Sequence, residues 1–156
     1  MSTPGLRVDG LKQLRRELKK IDASFDAELK EINWTLVNEL ITPAAKTKAG
    51  AAISRGGKPA VKPGGAVVNS IKALRQAKAA IVSLGGAKAP HAAGYEFGSM
   101  QLRKTAAGGH TTQFPIWRGN GEDAGYFLHP TIREKRDEIL AFYSLMIGEL
   151  LKEAFP

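Results

Sequence analysis

DGLKQLRRELKKIDASFDAELKEINWTLVNEL, residues 9–40, is the longest patterned stretch of the chain. Leu11, Leu14, Leu18, Ile21, Phe25, Leu29, Ile32, Leu36 and Leu40 recur in it at steps of three and four. Such spacing puts them on one face of a helix of about thirty residues. Asp9 suits the N-cap, where its carboxylate can accept from free first-turn amides. Arg15, Arg16, Glu17, Lys19, Lys20, Asp26, Glu28 and Lys30 fill the other face with neighbouring opposite charges. A coiled coil would produce the same pattern, but Phe25 and the adjacent Trp34 favour packing on a sheet. Thr42-Pro43 is expected to stop or kink this helix, and a short second helix to follow over 44–53.

Working outward, Ser54–Gly65 holds four glycines, two prolines and three basic residues, which predicts a flexible loop or arm. Ile71 to Leu84 reads as a two-stranded hairpin. The β-branched run Ala80–Leu84 ends at Gly85-Gly86, although the alanines of 73–80 would also suit a helix. Ala89–Gly98 predicts a short helical turn closed by glycine. A second flexible polar loop is expected over 99–113, and a strand over Phe114–Trp117. A closing helix is expected from Pro130, with Ile132, Ile139, Phe142, Tyr143, Met146, Ile147 and Leu150 on its apolar face. The expectation is one α+β domain over residues 1–156. In it, a long N-terminal helix and a C-terminal helix pack on a small antiparallel sheet, with extended basic loops.

Charge is uneven. Residues 1–45 are balanced, residues 46–104 carry eleven Lys/Arg against the single acid Glu96, and residues 105–156 are net −2. All of the formal +8 therefore comes from the middle, which favours an acidic partner, protein or nucleic acid. There is no cysteine, so neither disulfides nor thiolate metal sites can form. The opening Met1–Gly5 has no apolar run, and no signal peptide is expected. No stretch approaches ~18 consecutive apolar residues, so no membrane-spanning helix is expected.

Signals of catalysis are weak. His91, His110 and His129 stand far apart in separate loops or turns, without metal-ligand spacing. Gly56-Gly57-Lys58 and Gly64-Gly65 resemble fragments of a phosphate loop, but no Gly-Lys-Ser/Thr follows a strand. Glu96 has no second titratable partner that the sequence can place beside it. No enzyme activity, cofactor or metal is expected. The basic middle has few interleaved aromatics, only Tyr95 and Phe97, so base stacking is not favoured.

The stretch Ala92–Ser99, with Tyr95-Glu96-Phe97-Gly98 at its heart, resembles the Tyr-x-x-x-Glu-Phe-Gly-Thr signature of siphophage tail-completion or head-tail neck proteins. These are minor tail or minor capsid components related to tail terminators. That family places its first aromatic earlier, near His91. Val8–Leu11 followed by the long helix is similar to the family's opening. Pro63–Ile71 is similar to its step into the first strand, with Gly65 and Ser70-Ile71 kept and Val67 in place of Leu. Tyr126–Ile132 is similar to its lead-in to the last helix, with Thr131 for Ala.

The resemblance implies a structural virion protein of a long-tailed bacteriophage, made in the host cytoplasm. It would form a homo-oligomeric ring, a hexamer by tail symmetry, between capsid connector or stopper and terminator or tail tube, around the DNA channel. Tyr95, Glu96, Phe97, Gly98 and Pro130 would be structural motif residues. Arg55, Lys58, Lys62, Arg103 and Lys104 are the interface candidates toward neighbouring subunits, other neck proteins or genomic DNA. Two other classes fit the residues: a small basic nucleic-acid-binding protein and a cytoplasmic helical adaptor.

Overall fold

The computed structural model describes residues 13, 16–17, 24–54, 59–99, 103–104, 110–111 and 113–154. The Asp9 cap and the apolar positions Leu11, Leu14, Leu18 and Ile21 lie outside these. The chain is α+β: helices early and late in the sequence, with short antiparallel strand pairs between them. It divides into two compact units, residues 1–43 with 72–83 and 132–156, and residues 44–71 with 84–131.

The first unit contains α1 (Phe25–Thr35), a π-helical segment (Leu36–Ile41), the β1–β2 hairpin and the last helix, α6 (Arg136–Ala154). Phe25, Leu29, Ile32 and Leu36 are buried, as their spacing predicts. Beyond Leu36 the phase shifts: Val37 and Ile41 are buried, and Leu40 is only half-buried. The helix does not stop at Thr42-Pro43 but runs on as α2 (Thr42–Ala49). In an α-helix the Pro43 ring would strike the carbonyl of Glu39. Here the Thr42 amide reaches back five residues to the Val37 carbonyl, and this wider turn accommodates the proline.

β1 (Lys72–Leu74) pairs antiparallel with β2 (Ile81–Ser83) in the register Lys72↔Ser83, Ala73↔Val82, Leu74↔Ile81. This is the expected hairpin. Its connection is tied to α1 by a fully buried residue with no apolar role, Asn33. The Asn33 Nδ2 donates to the carbonyls of Gln76 (3.0 Å) and Ala77 (3.2 Å), while its Oδ1 accepts from the Tyr143 hydroxyl at 2.5 Å. One amide thus joins two helices and the hairpin. Nearby, Arg75 lies 4.1 Å from the centre of the half-buried Trp34 ring and pairs with Glu31 at 2.5 Å.

Burial pushes the Tyr143 hydroxyl from its usual 10.0 up to about 12. The folded chain therefore holds the neutral phenol more strongly than the unfolded chain does. That contribution is complete below pH 10 and is lost as pH rises toward 12, a change of about 2–3 kcal/mol for two pH units. Tyr143→Phe is expected to flatten the fall in urea midpoint over this alkaline range. At neutral pH it is expected to cost about 1–3 kcal/mol, because Asn33 Oδ1 loses its donor. Subtracting the two pH profiles removes the lysine titrations common to both. Equal alkaline slopes would refute the assignment.

The second unit departs further from expectation. α2 ends at Ala49, short of residue 53. Residues 54–65 are not all loop: Ile53 and Val61 exchange amide hydrogen bonds of 2.7 and 3.0 Å, and Pro63 is buried. The step into the first strand over 63–71 leads directly to β1 at Lys72, and it contains a one-turn helix, α3 (Gly65–Asn69), with Val67 buried beneath it. The turn read at Ala89–Gly98 is α4 (Ala92–Phe97), closed by Gly98 at φ +76. Within the stretch read as a flexible loop, β3 (Arg103–Lys104) pairs antiparallel with β4 (His110–Thr111). Phe114–Trp117 is not a strand; Ile116 makes a single parallel bridge to Ser99. The closing helix begins at Leu128 as α5 (Leu128–Glu134), two residues before Pro130, and resumes as α6 after Lys135.

Candidate functional site

Glu96 is the one acid of the basic middle and is fully buried. α4 places it there: Ala92 and Glu96, one turn apart, form the inward face of this short helix. A lone carboxylate is costly to bury unless its lone pairs are matched. Glu96 Oε2 accepts from the amides of Phe127 (3.1 Å) and Leu128 (3.0 Å). Its Oε1 accepts from the His129 amide at 2.9 Å and meets His129 Nδ1 at 2.8 Å. These amides open α5, where helix N–H groups lack intrahelical partners and the dipole favours negative charge.

Glycines make room for this clasp. Gly125, at φ +81, faces Glu96 so closely that a β-carbon would run into Oε1. Gly94 lies against the Phe114 ring, and a β-carbon at Gly98 would strike the Ile116 carbonyl. The chain from 113 to 126 is laced to α4 in consequence. Ser99 N donates to Pro115 O (3.0 Å), Arg118 N to Phe97 O (2.6 Å), and Gly125 N to Arg118 O (2.8 Å). The Tyr126 hydroxyl donates to Ile116 O at 2.7 Å, and Arg118 stands 4.7 Å over the Tyr126 ring. The loop held this way presents Ile116 and Trp117 to solvent, 63% and 41% exposed.

The motif residues therefore meet. Tyr95 packs edge-on against Phe114 at 5.2 Å, and Phe97 against His129 at 5.0 Å. Pro130 is half-buried as the third residue of α5. Ser70, from the Pro63–Ile71 motif, donates to Val67 O (2.6 Å) and accepts from Gly85 N (2.9 Å). The clasp joins Glu96 to three backbone amides and to the His129 ring, an arrangement that positions chain segments. No known protein family, curated protein or solved structure matches this chain.

The basic interface candidates are not gathered at this site. Lys62 is exposed, Arg103 and Lys104 form β3, and Arg55 and Lys58 lie outside the described residues. Among the described residues no group of His, Asp and Glu is arranged to hold a metal, and no helix is long and apolar enough to cross a membrane. His129 corrects the sequence reading, which gave it no place in any site. Its ring is one of the four partners of Glu96. The available signal was an isolated acid in one motif and, shortly after Gly125, a His-Pro helix start in another.

Proposed function

We propose that this chain is a structural, non-enzymatic ring subunit in the head-to-tail neck of a long-tailed bacteriophage, joining capsid connector to tail tube around the DNA channel. One observation carries the reading. Glu96 bonds the Glu-Phe-Gly motif directly to the Phe127–His129 motif at the start of the closing helix. Two short patterns that resemble the neck family at separate points of the chain are thereby parts of one structural joint, and their residues have packing duties that need no substrate. Lys72 and Lys78 in the first unit and Lys62 and Lys88 in the second are each exposed, and each pair offers cations to an acidic neighbour in such an assembly.

The nucleic-acid-binding alternative has less support, since Tyr95 and Phe97 spend their rings on Phe114 and His129 instead of on bases. The test is reversal of Arg55, Lys58 and Lys62 together to Glu. A single exposed pair is worth ~0–1 kcal/mol, so one substitution is expected to be mild and three to be disruptive. The triple variant is expected to keep a normal circular dichroism spectrum and to fail in complementing a phage that lacks its neck subunit. Full complementation would mean that this charge is merely solvated.

A further inference from the structure

In the first unit, α1 and α6 leave a groove of about 540 Å³ between them. Its floor is apolar, made by Ile32, Met146 and Leu150. Its rim is Glu28 and Glu31 on one side and Glu149 and Glu153 on the other, with no cation among the described lining residues. Ser24 Oγ donates to Glu28 and Arg75 pairs with Glu31, whereas Glu149 and Glu153 are exposed on the last two turns of α6. The concentration of negative charge there is increased by the carbonyl end of that helix.

An occupant of this groove needs a stripe of apolar side chains flanked by several cations. The chain carries such a segment. Residues 11–21 set Leu11, Leu14, Leu18 and Ile21 at helical spacing, among five Lys/Arg and a single acid. We infer that the basic amphipathic segment 11–21 of a second copy docks in the acidic groove between α1 and α6, forming a head-to-tail contact of the ring; this rests on the neck-subunit reading.

A second copy is the occupant that the ring reading calls for. Groove and segment are different patches that complement each other in charge and apolar character. Such a pair joins copies head to tail and closes a ring, as a self-complementary patch does not.

The chain has no cysteine, so introduced thiols report without background. Leu18→Cys and Met146→Cys, purified as separate full-length variants, mixed and oxidised, are expected to give a cross-linked dimer. The double variant is expected to give a ladder of multimers. An internally linked monomer from the double variant would overturn the inference in favour of own-chain docking, and absence of any cross-link would overturn it outright. Adding Glu149→Lys and Glu153→Lys, both at exposed positions, should reduce the cross-linked fraction roughly tenfold at low salt, with helicity unchanged. Lys19→Glu with Lys20→Glu should restore it, and a ladder indifferent to these reversals would refute the charge match. Complementation of the neck-deficient phage scores the neck reading separately. Complementation without the ladder removes only this interface, while a ladder without complementation removes only the neck.

Discussion

Glu96→Ala is expected to lower the stability of the chain by about 3–5 kcal/mol, the usual cost of removing one partner from a buried charged cluster. Against a typical total of roughly 5–15 kcal/mol, that is a large share. The substitution leaves the amides of Phe127, Leu128 and His129 without their acceptor, two of them in fully buried residues. It also opens a void that the β-carbon-free Gly125 cannot fill. Glu96→Gln keeps the shape but exchanges one acceptor oxygen for donors facing donors, so its loss should be intermediate, about 2 kcal/mol. Urea unfolding followed by far-UV circular dichroism measures both. A loss below about 1 kcal/mol for the alanine variant would mean that the amides have another acceptor, and the clasp would not be the joint described.

Phe25→Ala is the second large effect, also expected at about 3–5 kcal/mol. Phe25 is only 2% exposed at the first position of α1, and Leu29 and Ile32 continue the same buried face. Deleting its ring removes both transfer energy and contacts that the surroundings cannot fully replace.

The helix faces were legible because apolar residues recur at helical intervals, so Phe25, Leu29, Ile32 and Leu36 are buried as read. The phase slip beyond Leu36 was not legible. Leu36, Val37, Leu40 and Ile41 are all apolar, and only the amide geometry at Thr42 distinguishes which of them turn inward. The hairpin was readable from β-branched residues ending at Gly85-Gly86, but α3 was not. A helix of five residues is too short to show a period. Asn33 and Tyr143 looked respectively like a polar residue and part of an apolar face, because their bond spans 110 positions. Glu96 was singled out by its motif, yet its role depends on amides 31 to 33 residues away, which no local pattern encodes.

The chain has two tryptophans, and each compact unit holds one of them. Trp34 is half-buried beneath the Arg75 guanidinium, while Trp117 stands in the solvent on the loop fixed by the clasp. The molecule thus carries two tryptophan fluorophores in unlike surroundings, one half-buried beneath a cation, the other open to iodide or acrylamide. With either indole replaced by Phe, the remaining emission follows its own unit alone, so the melting of each half and the covering of the Trp117 loop during assembly can be watched without any attached dye.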